Sequence, residues 1–128
     1  MSILLDRYAF IWLTGSPDRL SGRIRDLLTD TNNTWILSIA SIWEMQIKIQ
    51  LGKLKLNSTL LDLIETQERI NNLRVLPIEL AHIWGLTNLP NHHRDPFDRL
   101  LIAQAMIEKL PIVSIDSLFD SYPIQRLW

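Results

Sequence analysis

The sequence predicts an α/β domain in which helices flank a parallel β-sheet. Short apolar runs suited to buried strands, such as Ile3-Leu4-Leu5 and Trp35-Ile36-Leu37, alternate with longer segments of helical periodicity. No repeat, low-complexity run or linker rich in proline, glycine or serine divides the 128 residues. Because strands that alternate with helices form parallel sheets, we expect one α/β domain over residues 1–128.

The first half of the chain contains two predicted strands and four predicted helices. Ser2–Leu5 and Trp35–Ser38 are apolar throughout most of their length, as strands buried on both faces are. Gly52 is a suitable end for the helix that follows the second strand, and Asn57-Ser58 is a suitable cap for the next helix. The predicted helices are Tyr8–Leu13, one from about Asp18 to Leu28, one from Ser41 or earlier to Leu51, and one running from Asn57-Ser58 toward Ile70.

The second half repeats the pattern and contains the most informative helix start. Asp95-Pro96 predicts a helix because a carboxylate caps free N–H groups and proline suits the first helical position. That helix extends to about Glu108, since Leu110-Pro111 cannot continue it. The other predicted elements are a strand in Leu73–Ile78, a helix over Glu79–Leu86, a buried strand over Ile112–Ile115 and an edge strand in Pro123–Trp128.

Composition limits the compartment and the class of partner. A net charge of −1 argues against a generally basic surface for nucleic acid. The absence of cysteine excludes disulfides and thiolate metal sites and suits a reducing cytoplasm. No basic segment precedes the first apolar run, and no run approaches the ~20 residues of a membrane helix, so we expect a cytoplasmic protein. The hydrophobic content of 47%, with five tryptophans, predicts some apolar surface for another protein.

Asp98 does not fit the apolar periodicity of the helix that begins at Asp95-Pro96. Leu101, Ile102 and Ala105 lie on its side of the helix, so the carboxylate faces the core. A carboxylate in that position is costly unless it is paired, protonated or bound to a metal. Helix capping remains an alternative for Asp98, which lies near the positive end of the helix dipole, whereas Asp95 fits a cap better.

Three further acids share the predicted position of Asp98. Asp6 and Asp116 follow predicted strands, and ligands of open α/β sheets bind at the carboxyl ends of the strands. Glu44 follows the second strand and leans toward the core, although Lys48 could pair with it. Each acid could instead be a helix cap, and Ser41-Ile42-Trp43-Glu44 fits a capping box. Serine, threonine or asparagine would cap equally well, however, and all of these positions carry carboxylates.

Four carboxylates at one edge of a sheet would repel one another strongly without a cation. Without cysteine or an obvious set of histidines, the oxygen ligands favour Mg²⁺ or Mn²⁺. Such a site suits phosphodiester hydrolysis, because the metal activates water and neutralises charge in the transition state.

The order and local sequence of these blocks resemble the PIN-domain ribonucleases, specifically the VapC-type toxins of bacterial toxin–antitoxin pairs. The resemblance covers essentially the whole chain and implies RNA cleavage, a homodimer, and inhibition by a cognate antitoxin whose tail occupies the toxin. It also implies catalytic and metal-ligating roles for Asp6, Glu44, Asp98 and Asp116. The matching blocks are Ile3–Asp6, Ser38–Glu44, His93–Ala105 and Ile112–Asp116.

The chain departs from the family pattern at Arg7 and Tyr8, where the family usually has a small hydroxyl residue and often histidine. A guanidinium stays charged beside the acids. Arg7 either points at Asp6 as an internal counter-ion that weakens metal binding, or turns outward to hold the scissile phosphate. We favour the first orientation for the metal-free protein.

Several residues around the acids are candidate RNA contacts. Arg94 and Arg99 flank the acids and could contact phosphates, or form salt bridges with the same acids. His92 and His93 could contact RNA or assist proton transfer, although loop histidines are usually only solvated. The candidate RNA-binding residues are Arg7, His93, Arg94 and Arg99, and Lys48, Lys53 and Lys55 are interpreted as a solvated face that RNA can use.

Two other functions remain compatible with the sequence. One is a catalytically idle PIN-fold interaction module, and the other is a metal-dependent, structure-specific DNA nuclease. A phosphoacceptor receiver domain is excluded because no lysine ends the strand that contains Ile112–Ser114. The apolar excess also predicts a groove for a partner around Trp12, Trp43 and Leu54–Ile64, although these tryptophans could belong to the core.

Overall fold

Five short parallel strands form the sheet, in the order β3-β2-β1-β4-β5. The computed structural model describes residues 1–128. Parallel pairing joins each strand to its neighbour, and β1 lies at the centre between β2 and β4. The α/β class is therefore confirmed. The strands are β1 (Ser2–Leu5), β2 (Thr34–Ser38), β3 (Arg74–Leu76), β4 (Ile112–Val113) and β5 (Arg126–Leu127).

Six helices connect the strands, and their starts follow local capping. The helix predicted near Asp18 begins later, because Pro17–Arg19 forms a separate 3₁₀ turn and the Ser21 hydroxyl caps the following helix. Thr59, rather than Asn57-Ser58, caps the fourth helix by accepting a hydrogen bond from the Asp62 N–H. The helices are α1 (Arg7–Gly15), α2 (Gly22–Thr29), α3 (Ile39–Gln50), α4 (Leu60–Asn71), α5 (Leu80–Trp84) and α6 (Pro96–Glu108).

The core consists of two apolar clusters on the two faces of the sheet. Ile3 and Leu5 of β1 pack into the larger cluster, and Leu4 between them packs into the smaller one. This alternation follows from the pleat of a strand and explains why β1 is apolar at successive positions. Helices α1, α2, α3 and α4 contribute to the larger cluster, and α6 contributes to the smaller one. None of the six helices has both the length and the apolar sequence needed to cross a lipid bilayer.

The buried strand predicted over Ile112–Ile115 is shorter in the structure. The strand ends at Val113. The Ser114 N–H still donates a hydrogen bond to the Leu127 carbonyl of β5, but the Ser114 hydroxyl accepts one from the Asp116 N–H, which turns the chain away from the sheet. Ile115 is consequently half exposed and does not belong to the core, contrary to the prediction. The turn leads into a second 3₁₀ turn at Ser117–Ser121 and leaves Asp116 at the carboxyl edge.

Candidate functional site

The four acids singled out from the sequence lie around one cavity of about 70 Å³ at the carboxyl edge of the sheet. A larger cavity of about 280 Å³ lies near the start of β2, at the opposite end, and Asp30 is its only ionisable lining residue. The smaller cavity is therefore where the ionisable side chains converge. It is lined by Asp6, Arg7, Tyr8, Ser41, Glu44, Phe97, Asp98, Leu101, Asp116 and Phe119.

Asp6 combines a capping role with a place in this cavity. It follows β1 directly and caps α1, since its Oδ1 accepts a hydrogen bond of 2.8 Å from the Ala9 N–H. Its side chain is buried, and burial raises its pKa, whereas the Ser114 hydroxyl, the Ala9 N–H and the Arg7 charge act in the opposite direction. The capping interpretation of Asp6 is thus correct but incomplete.

Glu44 has no capping role. Helix α3 begins at Ile39 with Ser38 as its cap, so Glu44 lies inside the helix and the capping box proposed for Ser41–Glu44 does not form. The side chain is buried, and Arg7 Nη1, rather than Lys48, lies 2.7 Å from its Oε2. Burial raises the pKa of Glu44 to about 7, and the charges of Asp95 and Asp98 add to the effect while Arg7 opposes it.

Arg7 points into the cavity, and its ion-pair partner is Glu44 rather than Asp6. The guanidinium carbon lies 4.3 Å from the centre of the Tyr8 ring, which holds the arginine over the site. Nη1 is buried and makes no hydrogen bond of good geometry, so its contact with Glu44 is an ion pair with imperfect alignment. The site therefore contains an internal cation next to its acids.

The sequence left helix capping and metal binding open for Asp98, and the structure shows that Asp95, not Asp98, caps the helix. Asp95 caps α6 by accepting a hydrogen bond of 2.8 Å from the Phe97 N–H, and Pro96 occupies the first helical position. Asp98 lines the cavity one turn further on and accepts no hydrogen bond from the protein. Burial, followed by the charge of Asp95, raises the pKa of Asp98 to about 6.

Asp116 is held by a chain of hydrogen bonds that passes through His93. His93 Nε2 lies 2.9 Å from Asp116 Oδ2, and Nδ1 lies 3.0 Å from the Tyr122 hydroxyl. The same hydroxyl accepts a hydrogen bond from the backbone N–H of His93, and the imidazole stacks on Phe119. Hydrogen bonding along this chain therefore directs Nε2–H at Asp116 and the tyrosine O–H at Nδ1.

His93 is buried, so the interpretation of this side chain as a solvated loop histidine is wrong. The sequence did not reveal its contact with Asp116, because the partners Asp116 and Tyr122 lie 23 and 29 residues away. The apolar Phe119 and the hydroxyl of Tyr122, both in the segment after Asp116, were the only local signals. His92, by contrast, is exposed and packs edge-on against Tyr122.

The two other arginines predicted to contact RNA differ in their availability. Arg99 donates hydrogen bonds to the backbone carbonyls of Leu89 and Pro90, at 3.2 and 2.9 Å, and so fixes the loop before α6. Arg94 is exposed and has no carboxylate partner. Arg99 therefore has a structural role, and Arg94 remains free.

The donor set fits a hard divalent cation. One ligand atom from each of His93, Asp98 and Asp116 lies within 4.8 Å of the others, and Asp6 lines the same cavity. Both ring nitrogens of His93 take part in hydrogen bonds, so the available ligands are carboxylate oxygens, which in the absence of thiolates suit Mg²⁺ or Mn²⁺. Burial, and secondarily the neighbouring acids, raise the pKa values of Glu44 and Asp98, and a bound cation would favour the charged form of both carboxylates.

Comparisons with known proteins identify the fold and the family of the chain. A comparison with curated proteins found no match. Among solved structures, VapBC2 from Rickettsia felis bound to a promoter DNA fragment is similar, with 16% identity, a TM-score of 0.72, and coverage of 99% of this chain and 98% of that chain. FitAcB from Neisseria gonorrhoeae matches with 17% identity, a TM-score of 0.66, and coverage of 100% and 97%. A toxin–antitoxin complex from Klebsiella pneumoniae matches with 14% identity, a TM-score of 0.61, and coverage of 98% and 96%.

At these identities the structural likeness establishes the fold alone. The sequence model of the PIN domain, in contrast, matches residues 3–124, which is nearly the whole chain. The match includes all four acids of the cavity, the strands β2, β3 and β4, and the helix that Asp95 caps. The chain therefore belongs to the PIN domain family, whose members are generally metal-dependent nucleases.

Proposed function

We propose that this protein is a metal-dependent ribonuclease toxin of the VapC type, which hydrolyses RNA phosphodiester bonds and is neutralised by a cognate antitoxin. The observation that carries the proposal is the convergence of Asp6, Glu44, Asp98 and Asp116 on one cavity at the carboxyl edge of the sheet. The choice of RNA rests on the resemblance of the sequence blocks to VapC-type toxins. The assignment to the VapC type is also supported by the solved structures with the same fold, which include VapBC2 and a toxin–antitoxin complex.

Each acid is positioned differently for its proposed role. Asp6 is oriented by the N-terminus of α1, and Asp116 is oriented by His93 and by the Leu118 N–H. Asp98 accepts no hydrogen bond from the protein, so both of its oxygens are available to a cation. Asp6, Asp98 and Asp116 would hold Mg²⁺ or Mn²⁺, with Glu44 beside them.

A divalent cation at this position supplies Lewis-acid activation of water and neutralises charge on the phosphodiester in the transition state. The residues of the chain provide orientation and proton transfer. Glu44 lines the same cavity, and its Oε2 lies 2.7 Å from Arg7 Nη1, so this carboxylate would be positioned to accept a proton from the attacking water. His93 fixes the orientation of the Asp116 carboxylate through the Nε2 contact of 2.9 Å.

Asp98→Asn tests this function because asparagine preserves the shape of the side chain and removes its charge. The variant should lose cleavage of a mixed RNA pool in the presence of Mn²⁺, with cleavage ends mapped by sequencing. Its melting temperature should stay equal or rise, since repulsion between carboxylates is relieved. Asp26→Asn, the same chemical change at an exposed position of α2, should cleave like the wild type.

Other results of the same assay would replace the proposal. Wild-type cleavage by Asp98→Asn would show that Asp98 is not needed for metal binding. Comparable rates on deoxyribose substrates would favour a DNA nuclease. A wild-type protein that neither cleaves RNA nor binds Mn²⁺ in a calorimetric titration would favour an idle interaction module.

The antitoxin is proposed to bind around Trp12, Trp43 and Leu54–Ile64. Trp43 is 56% exposed, and a cavity of about 500 Å³ lies beside Leu54, Leu56 and Leu60. The product of a neighbouring reading frame should bind the purified protein and slow hydrogen exchange throughout Leu54–Ile64, because anchoring side chains exclude water. Unchanged exchange in this segment of the complex would place the interface elsewhere.

A homodimer is part of the same proposal, together with a cytoplasmic location that suits a chain without cysteine. Apolar side chains remain exposed on two adjoining helices, α5 and α6, which supports contact with a second copy. Sedimentation equilibrium over a range of concentrations measures this association. The exposed apolar residues are Leu80, Ile83, Trp84, Met106 and Ile107.

A further inference from the structure

An imidazole lies at the edge of the proposed metal site. One ring nitrogen of His93 lies within 4.8 Å of an oxygen of Asp98 and an oxygen of Asp116, close enough to share a cation with them. We propose that Tyr122 prevents His93 from ligating the metal, and that the site thereby selects Mg²⁺ or Mn²⁺ against metals that prefer nitrogen, such as Zn²⁺. This inference rests on the proposed function and assigns the metal specificity of the site to a residue that does not line the cavity.

The proton of the Tyr122 hydroxyl has one acceptor. The side chain is buried, and both hydrogen bonds of the hydroxyl involve His93. The oxygen accepts the backbone N–H of His93 at 2.9 Å, so the hydroxyl proton is left to be donated to Nδ1 of the same residue, at 3.0 Å. Because a buried donor without an acceptor is costly, Nδ1 carries the lone pair of the ring.

The position of this lone pair determines what the other ring nitrogen can do. A neutral imidazole has one N–H group, which the hydroxyl of Tyr122 therefore assigns to Nε2. A nitrogen that carries a proton donates a hydrogen bond and cannot ligate a metal. Nε2 accordingly donates to Asp116 Oδ2 at 2.9 Å, and the ligands offered to a cation are oxygens alone.

The surrounding residues prevent the imidazole from turning. Phe119 stacks on the ring at 4.8 Å between ring centres, with an angle of 27° between the planes. Asp116 caps the second 3₁₀ turn and Tyr122 follows it, so one short segment contacts both nitrogens. A rotation of the ring by half a turn would place carbon atoms opposite both partners and lose both hydrogen bonds. Tyr122 is therefore a positioning residue that acts through His93.

Tyr122→Phe removes the hydroxyl and retains the ring. The imidazole can then carry its proton on Nδ1 and offer Nε2 to a metal that prefers nitrogen. Isothermal titration calorimetry with Mn²⁺ alone and with Zn²⁺ alone measures both affinities without RNA. The ratio of the Zn²⁺ affinity to the Mn²⁺ affinity should rise by about tenfold. Thr14→Val, which removes a half-buried hydroxyl bonded to the Phe10 carbonyl in α1, should leave the ratio unchanged.

A second substitution tests whether Tyr122 acts through the imidazole. In His93→Gln the side chain can still donate a hydrogen bond to Asp116, but no ring nitrogen is available to a metal. Tyr122→Phe added to His93→Gln should therefore leave the affinity ratio as it is in His93→Gln.

NMR of ¹⁵N-labelled histidine locates the proton directly. The ring signals of His93, identified by their loss in His93→Gln, should show the Nε2–H tautomer in the metal-free wild type. They should show Nδ1–H in Tyr122→Phe loaded with Zn²⁺. The measurement on the wild type is decisive even if Tyr122→Phe does not fold.

Four results would overturn the role of Tyr122: an Nδ1–H tautomer in the metal-free wild type, an unchanged affinity ratio in Tyr122→Phe, equal weakening of both metals, or the same rise in the His93→Gln background. Equal weakening would identify a residue that only supports the fold. The expected change in ratio, together with a wild type that does not cleave RNA, would contradict the proposed function alone. RNA cleavage by the wild type with an unchanged ratio in Tyr122→Phe would contradict this inference alone.

Discussion

Individual side chains determine the charge of the candidate site, and Arg7 is the most unusual of them. Its guanidinium lies 2.7 Å from Glu44 and cannot lose its proton, so it is a permanent cation among the acids. Its positive charge partly neutralises the negative charge of the carboxylates, as a bound divalent metal would. A metal entering the cavity has to overcome repulsion from this charge or displace it.

Arg7→Thr should therefore raise the affinity for Mn²⁺, by an amount on the order of tenfold if ~1.4 kcal/mol of repulsion is removed. Isothermal titration calorimetry with the metal alone measures the effect, and Arg7→Lys is the matched control because it keeps the charge. Equal Mn²⁺ affinities for Arg7→Thr and the wild type would rule out the counter-ion role. A loss of RNA binding with unchanged metal affinity would make Arg7 a phosphate contact.

At the scale of elements, a buried polar network joins α5, α6 and β2. His82 in α5 is fully buried, its Nδ1 accepts a hydrogen bond of 3.0 Å from the Glu79 N–H, and its Nε2 lies 2.9 Å from Glu108 in α6. Gln104 of α6 lies 3.3 Å from the same Nδ1 and also bonds to Ser38 at the end of β2. The network fixes α6, and with it Asp98, relative to the sheet.

His82→Ala should lower the free energy of unfolding by roughly 2–4 kcal/mol, because it leaves a cavity and unpaired polar groups on Glu79 and Gln104. Glu108→Gln retains an acceptor for Nε2 and should cost less than ~1 kcal/mol. Chemical denaturation monitored by tryptophan fluorescence provides both values. Identical unfolding midpoints for His82→Ala and the wild type would show that the network contributes nothing to stability.

For the whole molecule, the acidic cavity predicts how stability depends on pH. The pKa of Glu44 rises from 4.5 to about 7 on folding, and the pKa of Asp98 rises from 3.8 to about 6. At pH values between the unfolded and the folded pKa of each group, the native state binds more protons than the unfolded state, so the free energy of unfolding decreases as pH rises. The full shifts correspond to roughly 4 kcal/mol between about pH 5 and about pH 8, and solvent screening of these carboxylates reduces the expected loss for the metal-free protein to the order of 2 kcal/mol.

Thermal unfolding in EDTA at several pH values measures this dependence. Adding Mn²⁺ near pH 8 should restore the melting temperature, because the cation binds only the folded cluster of carboxylates. Asp98→Asn should show a smaller dependence on pH, since one of the titrating groups is gone. A melting temperature of the metal-free wild type that increases over this pH range would disprove the predicted sign.

The sequence by itself determined the succession of strands and helices along the chain and the edge of the sheet at which the acids lie. These features depend on short-range patterns: apolar runs specify buried strands, and Asp95-Pro96 specifies the start of α6. Residues that follow parallel strands must meet at one edge, so the strand pattern alone was enough to place Asp6 and Asp116 together.

Only the tertiary structure decided the partners of the site residues. Arg7 pairs with Glu44, 37 positions further along the chain by residue number, and His93 contacts Asp116 and Tyr122, which flank the second 3₁₀ turn. Such contacts depend on how packed helices and loops align, and periodicity contains no information about that alignment. The early end of β4 has a similar cause. The hydrogen bond of the Ser114 hydroxyl competes with continued strand pairing, and the packing of the sheet determines which of the two forms.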